Sequence, residues 1–394
     1  MSFFELPNIT INTDIISIIE PMFSNNSSIV INKTLMTYLK NIKQEIDNRQ
    51  SEWDKFKKYT NPYEYVHTIV PNSKQSVCKL KPLSRSFYKM IEICGLLNIT
   101  DNLPFNCKSF HLAEGPGGFI EALCELRNNP NDSYIGMTLL DENDIAVPAW
   151  KKSAIFLDKN PNVSIEKGFD NTGNIMNAEN LRYCFLKYKN SIDLVTGDGG
   201  FDFSFDFNQQ EVISSKLIFC QIAFAIAIQK KGGKLMLKFF DTFTQVSVDM
   251  LYLLSLLYER VYFVKPNSSR YANSEKYIVC KNFRLNDSEN LVKKLYNIFK
   301  NIEEEKNFER ILNIDIPYLY SCRVEEFNAI YGQQQIESIS ATLNLIDNNK
   351  YERLESFKKT NIQKCISWCQ RYKLPFNKVI TSNNIFLTKG SKEY

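Results

Sequence analysis

The sequence predicts an α/β fold with a doubly wound, Rossmann-like sheet and helical extensions at both ends. Two observations lead to this prediction. In the middle of the chain, short apolar strands alternate with helical stretches, and glycine-rich turns follow several of the strands. After Phe283 the strand signals fade and charged helical stretches take over. We therefore predict three regions, 1–80, 81–285 and 286–394, of which the middle one carries the sheet.

Apolar runs bounded by turn residues mark the predicted strands. These strands lie at 109–112, 134–138, 193–196, 234–239, 260–265 and 276–279. Helical spacing predicts helices at 119–127, 214–230, 246–257, 288–305 and 350–372. Because helices separate most of the strands, we expect a parallel sheet.

Composition sets limits on the class of protein. Hydrophobic residues make up 44% and charged residues 23% of the 394 residues, which is typical of a globular protein. The ten cysteines form no CxxC pair and only His67 and His111 are present, so we expect reduced thiols and no metal. The N-terminus lacks a signal-peptide pattern, and the apolar run Leu217–Ile228 is too short to span a bilayer. These features predict an intracellular protein, cytoplasmic or nuclear, without a membrane partner.

A glycine loop follows the first predicted strand and opens a helix. It consists of Glu114, Gly115, Pro116, Gly117, Gly118 and Phe119. Glycines there allow a ligand to approach the backbone. A dinucleotide site would need G-x-G-x-x-G and an acidic residue after the next strand, and a P-loop would need GK[ST]; both are absent. The loop favours an S-adenosylmethionine site, with a purely structural strand–helix turn as the alternative.

Four separated polar residues are candidates for chemistry. Asp198 ends a strand in a DGG turn and Lys238 lies near the end of the next strand. Lys89 lies on a helix before the glycine loop, and Glu275 precedes a strand. Each has a structural alternative: a turn aspartate, a lysine reaching solvent, a solvated helix face and a loop glutamate. As a base, Lys238 would need its pKa of about 10.4 lowered by roughly 2–3 units.

In chain order, these four residues resemble the K-D-K-E set of the FtsJ-like ribose 2′-O-methyltransferases. Lys89 lies in a Ser-Arg-aromatic-x-Lys motif, and residues 114–119 match the cofactor loop of that family. The stretches 196–211, 232–266 and 268–283 are most similar to eukaryotic and large-DNA-virus cap ribose methyltransferases. The resemblance covers roughly 80–285 and continues faintly from 335 to 375.

The resemblance implies a methyltransferase sheet and an SN2 transfer. Lys238 would act as the base, Asp198 would orient it near the sulfonium, and Lys89 would lower its pKa. Glu275 would hold Lys89 and Lys238 in place. Cofactor contacts would come from the glycine loop, Asp198, Asn174 and Ile175, although the family often has an acidic residue where this chain has Asn174. No metal is needed, and the implied partners are capped RNA and other RNA-capping or transcription proteins.

RNA contacts are predicted from charge and aromatic residues. The basic connection before the Lys89 helix predicts a groove, with a solvated loop as an equal alternative. Its cations are Lys74, Lys79, Lys81 and Arg85. Phe239, Phe240 and Phe243 are candidate cap platforms, or core residues. We expect methylation of the first or second transcribed ribose, the first being more widespread in the family.

Two alternatives to this activity remain open. One is a non-catalytic module that binds the cofactor or the cap, and the other is a ribose methyltransferase of uncapped structured RNA. Base methylation is disfavoured because the chain has neither an Asp/Asn-Pro-Pro-aromatic motif nor a Pro-Cys nucleophile.

Overall fold

An eight-stranded sheet forms the centre of the computed structural model, which describes residues 3–10, 14–24, 30–141, 147–200, 209–300, 302, 307–348 and 350–377. The strands of this sheet are β1 (Phe3–Glu5), β3 (Lys108–Leu112), β4 (Ser133–Met137), β5 (Val163–Ile165), β6 (Ile192–Gly197), β7 (Gln229–Phe239), β8 (Tyr258–Val264) and β9 (Lys276–Phe283). They lie in the order β1-β8-β9-β7-β6-β3-β4-β5. A second, two-stranded sheet pairs β2 (Ile19–Ser24) with β10 (Asn307–Leu312).

The direction of the strands divides the sheet into two parts. Strands β5, β4, β3, β6 and β7 are parallel, as predicted. Strand β9 runs antiparallel to both β7 and β8, which corrects the expectation of a wholly parallel sheet. The physical reason is the connection 265–275, which contains no helix that could carry the chain back to start a parallel strand.

Twelve helices surround these sheets in the described ranges. Around the central sheet lie α4 (Ser86–Leu97), α5 (Gly118–Arg127), α6 (Ala154–Lys159), α7 (Ala178–Tyr188), α8 (Gln210–Ile228) and α9 (Gln245–Leu257). The extensions carry α1 (Ile15–Ile18), α2 (Lys33–Asp47), α3 (Gln50–Thr60), α10 (Glu289–Phe299), α11 (Tyr318–Asp347) and α12 (Tyr351–Arg371). A 3-10 turn spans Glu64–Val66.

Apolar side chains are buried on both faces of the sheet. In β7, Leu235 and Leu237 belong to one core cluster and Met236 to the other, as the twofold alternation of a strand requires. Helix α8 is long and apolar enough to cross a membrane, because it begins at Gln210 rather than at the start of the apolar run. In the fold, 78% of its apolar window is buried, so α8 serves as a core helix.

The extensions are mainly helical, and they also contain three strands. β1 forms one edge of the central sheet and pairs with β8, where Phe4 lies opposite Phe263. The hydroxyls of Thr60 in α3 and Thr342 in α11 lie 2.6 Å apart, and Trp53 packs in a core shared by both extensions. The two ends of the chain therefore form one body beside the central sheet.

Candidate active site

The carboxyl ends of three parallel strands bring the predicted motifs together. The glycine loop follows β3, Asp198 follows β6, and Lys238 lies one residue before the end of β7. Because β3, β6 and β7 are adjacent and parallel, these ends share one edge of the sheet. Ligands of open α/β sheets bind outside that edge.

Lys89 and Glu275 form a buried ion pair. The Lys89 Nζ lies 2.7 Å from Glu275 Oε1 and donates a hydrogen bond to Oε2 at 2.8 Å. Lys89 projects from α4 and Glu275 immediately precedes β9, so the pair joins a helix to the antiparallel side of the sheet. Ser269 Oγ donates a further hydrogen bond to Glu275 Oε1 at 2.7 Å.

Lys238 and Asp198 form the second pair. The Lys238 Nζ donates to the Asp198 backbone carbonyl at 2.6 Å and lies 3.3 Å from its Oδ1. The Tyr277 hydroxyl donates to the same Oδ1 at 2.9 Å. The Lys89 ammonium lies 5.8 Å from the centre of the Tyr277 ring, so Tyr277 lies between the two pairs. Sequence reasoning missed Tyr277, although its position two residues after Glu275 on a strand places both on one face.

Burial and charge act against each other in this cluster. Burial lowers the pKa of Lys89, and the carboxylates of Glu275 and Asp198 oppose that lowering. Burial alone would raise the pKa of Glu275, but the charges of Lys89, Lys238 and Arg85 outweigh it and hold that pKa well below its ordinary value. Each of the four predicted residues therefore influences the pKa of Lys89 or of Glu275. Their catalytic roles stay predictions.

A buried lysine that the sequence analysis missed organises the loop before β9. Lys265 is 5% exposed, and its Nζ donates three hydrogen bonds of 2.7 Å. The acceptors are the backbone and side-chain oxygens of Asn273 and the backbone oxygen of Glu275. All three protons of the ammonium are thus used within one loop. A charged residue at the carboxyl end of β8 was the available signal, since the strand itself is buried.

The glycines of the cofactor loop permit close packing within the protein. Gly117 has a φ of +100°, and a Cβ there would come within 3.1 Å of the Trp150 ring. A Cβ at Gly118 would collide with the hydroxyls of Ser84 and Ser86. A side chain at Gly117 would therefore introduce backbone strain and a close contact with the Trp150 ring. Gly115 likewise packs against Ala149, and the Pro116 carbonyl accepts a hydrogen bond from Ser153.

Three side chains that the sequence analysis predicted to contact the cofactor face into the protein. Phe119 is fully buried and lies 6.0 Å from the Tyr277 ring, and Ile175 packs in the core, so neither side chain can line a cleft. The Glu114 carboxylate accepts a hydrogen bond from Thr196 and lies 3.3 Å from His111 Nδ1. These side chains are packed within the protein, and the predicted cofactor contacts of their residues stay predictions. Asn174 is half-buried, and its Oδ1 accepts a hydrogen bond from the Met176 backbone.

A cavity near the site lies between the two extensions and the loop before Glu275. Its volume is about 770 Å³. Helices α2, α3 and α11 contribute Lys43, Trp53 and Gln335 to its walls, and Arg85 and Glu275 border it on the catalytic side. Sequence analysis could not place this cavity because its walls come from distant parts of the chain. We call it the large cavity.

The predicted basic connection lines a second cavity of about 430 Å³, which we call the basic groove. Its predicted cations are Lys74, Lys79, Lys81 and Arg85. Arg85 also borders the large cavity, so it marks the junction of the two. Phe239 and Phe243 are buried in the fold, which corrects their assignment to RNA; Phe240 lines the large cavity 5.8 Å from the Lys238 ammonium.

The fold and this edge define an α/β protein with a ligand cleft beside paired lysines and carboxylates. Residues 82–283 match the model of FtsJ-like methyltransferases. Because this match covers just over half of the chain, the protein belongs to the FtsJ-like methyltransferase family. The family implies S-adenosylmethionine as the cofactor class.

Relatives of this chain include cap methyltransferases. It is 32% identical over 220 residues to the cap-specific mRNA (nucleoside-2′-O-)-methyltransferase 1 of Mus musculus, covering 54% of this chain and 26% of that protein. It is 37% identical over 173 residues to the Trypanosoma cruzi protein of the same name, covering 43% and 46%. An inactive cap-specific mRNA (nucleoside-2′-O-)-methyltransferase 1B of Caenorhabditis briggsae is 29% identical over 198 residues, covering 49% and 23%. The chain thus spans less than half the length of each of these relatives.

Among solved structures, a ribosomal RNA methyltransferase of Plasmodium falciparum is 23% identical with a TM-score of 0.36. That alignment covers 51% of this chain and 98% of the Plasmodium falciparum chain.

Proposed function

We propose that this protein transfers a methyl group from S-adenosylmethionine to a ribose 2′-hydroxyl of capped RNA. The observation that carries the proposal is the buried cluster of Lys89, Asp198, Lys238 and Glu275 at the strand ends beside the glycine loop. The named cap methyltransferases among its relatives support RNA caps as the substrate class.

The residues at this edge fit the cofactor. Asp198 provides a carboxylate that suits a cationic sulfonium, and the glycine loop lies at the adjacent strand end. A Cβ at Gly200 would come within 3.1 Å of the Lys238 Nζ, so glycine keeps space open beside the amine. S-adenosylmethionine, when bound, supplies the methyl group.

Lys238 is the base of the proposed reaction. Asp198 holds its Nζ through a backbone oxygen and a carboxylate, which fixes the amine relative to the attacking 2′-oxygen. Lys238 then accepts the 2′-hydroxyl proton at Nζ as attack develops. Lys89 lies beside Tyr277, next to that pair, and Glu275 keeps Lys89 in place.

The large cavity is the place proposed for the capped end of the RNA. It lies against Glu275 and Phe240, beside the catalytic cluster, and the cations Lys43, Arg85 and Arg270 face it. Lys43 is paired with Asp241 and Arg270 with Glu64, so Arg85 is the cation proposed to bind the triphosphate bridge. The volume of the cavity suits a nucleotide that ends a chain. We propose methylation of the first transcribed ribose.

Methyl transfer to capped RNA, followed by nuclease digestion to locate the modified ribose, tests this function. Lys238→Ala should remove nearly all transfer while S-adenosylmethionine still binds in calorimetry. Lys238→Arg should fail too, because a guanidinium does not deprotonate at neutral pH. Lys231→Ala is the matched control, since Lys231 is exposed at the opposite end of the same strand.

The outcomes separate the alternatives. Wild-type protein that binds cofactor and cap without transfer would be a non-catalytic module. Equal rates on capped, triphosphate and internally presented versions of one oligonucleotide would mean a ribose methyltransferase that does not recognise caps. Appreciable turnover by Lys238→Arg would exclude the general-base role.

A further inference from the structure

Two segments of this chain are rich in cations and contain no acidic residue. Residues 65–91 and 356–377 together carry ten of the 48 Lys and Arg residues, and neither has an Asp or Glu. Since the net charge of the whole chain is +4, the remainder is net negative by six. Positive charge is therefore concentrated on these two segments, which lie almost 300 residues apart in the sequence.

Backbone pairing brings the two segments together. Lys79 N donates to the Pro375 carbonyl at 2.9 Å, and Asn377 N donates to the Val77 carbonyl at 2.9 Å. Cys78 and Phe376 form the β-bridge between these bonds. The chain just after α12 thus runs along the wall of the basic groove.

A third cavity lies on the other side of this junction. Its volume is about 490 Å³, and we call it the α12 cavity. Its lining includes Tyr63, Lys364, Ser367, Trp368, Arg371 and Tyr372. The Trp368 ring packs edge-on against Tyr88, 6.0 Å between centres, and Tyr88 lines the basic groove. One aromatic pair therefore separates the two cavities.

The cations at the end of α12 are free to bind a ligand. Lys364, Arg371 and Lys373 are exposed and form no ion pair within the part of the chain that the structure describes. Earlier on the same helix, Lys358 is paired with Glu355 at 2.6 Å. Exposed cations beside the rings of Tyr63 and Tyr372 are the combination that binds single-stranded nucleic acid, through phosphates and stacked bases.

We propose that the basic groove and the α12 cavity form one track for single-stranded RNA. Lys364, Arg371 and Lys373 bind phosphates on the 3′ side of the methylated nucleotide. The direction rests on the proposed function: with the capped end in the large cavity, the RNA passes Arg85 into the basic groove. It then continues along the exposed Lys373 and Pro375, outside the buried Tyr88–Trp368 pair, to α12.

RNA length separates this track from the catalytic site. We would compare the wild type with a triple variant that carries Lys364→Gln, Arg371→Gln and Lys373→Gln. Fluorescence anisotropy would give the Kd for capped RNAs of about four and about twenty nucleotides over a range of salt. Because the variant lacks three phosphate-binding cations, the salt slope for the longer RNA should shrink by about 2. The triple variant should bind and methylate the shorter RNA as well as the wild type does. Its KM should rise for the longer RNA alone.

The matched control removes three exposed cations elsewhere. Lys108→Gln, Lys231→Gln and Lys300→Gln change the net charge equally, and Lys108 and Lys231 lie at the amino-terminal side of the sheet, away from the site. This control should keep the wild-type salt slope. Circular dichroism checks that both triple variants are folded.

Several results would overturn the proposal. One is a salt slope for the longer RNA that is unchanged in the α12 triple variant. The others are an equal loss of affinity for the short and the long RNA, or the same loss of affinity in the control triple variant. An unchanged RNA affinity would assign the basic surface to an acidic protein partner instead. Failure of the proposed function would look different, because short capped RNA would then go unmethylated while length-dependent binding could still be measured.

Discussion

The buried pair of Lys89 and Glu275 predicts how the protein responds to loss of one carboxylate. Glu275→Gln removes the charge but keeps the shape and the hydrogen bond from Ser269. The Lys89 and Glu275 side chains are only 4% and 11% exposed, so solvent screens the pair weakly. Breaking a buried pair from one side costs about 3–5 kcal/mol, because the remaining charge stays buried. We expect that loss of unfolding free energy at about pH 7.

The loss of unfolding free energy caused by Glu275→Gln should become smaller as the pH rises. Burial lowers the pKa of Lys89 below its ordinary value of about 10.4, and the Glu275 charge opposes this. In Glu275→Gln the pKa of Lys89 falls further. Between that pKa and about 10.4 the unfolded chain binds more protons than the folded one, so stability rises with pH in that window. The deficit relative to the wild type should therefore be smaller at about pH 9 than at about pH 7.

Urea denaturation of four proteins tests this reasoning: the wild type, Glu275→Gln, Lys89→Met and the double variant. Methionine replaces the lysine stem without its charge, so the double variant should be more stable at neutral pH than Glu275→Gln alone. Transition midpoints with equal slopes give the differences. Additive effects, a cost below about 1 kcal/mol for Glu275→Gln, or a deficit independent of pH would refute the buried-pair reasoning.

Three further predictions concern the same region. Gly200→Ala should lower kcat with cofactor binding retained, because the added methyl contacts the Lys238 amine; normal kcat would show that this space is not used. Lys265→Met should lower the free energy of unfolding by about 1–3 kcal/mol for each buried acceptor that it leaves unpaired, and it should lower kcat at saturating RNA. A stable, fully active variant would exclude a role of Lys265 in ordering the loop. Charge removal in the basic groove should reduce the salt slope of RNA binding by about 3, and an unchanged slope would favour a solvated loop. The groove residues to change to glutamine are Lys74, Lys79, Lys81 and Arg85.

Local pattern in the sequence was sufficient for four of the five parallel strands and for the catalytic candidates. Largely apolar runs of strand length mark β3, β4, β6 and β7 because both faces of the sheet are buried. Ser109, His111 and Thr196 are buried polar residues within these strands. The short strand β5 and helix α7 were missed, since three residues and a weak apolar stripe give little periodicity. Asp198 and Lys238 stood out because polar residues rarely end such strands without a reason.

The sequence by itself identified the candidate residues for the chemistry, because the positions of strand ends follow from the order of elements along the chain. Only the tertiary structure decided their partners. The Lys89–Glu275 pair spans 186 residues, and the three hydrogen bonds of Lys265 depend on how the loop 265–275 folds back. The large cavity and the α12 cavity were hidden, because each is built from residues far apart in the chain, whereas the cations of the basic groove were predicted. Periodicity records the neighbours of a residue along one element, whereas cavities and buried ion pairs arise where separate elements meet.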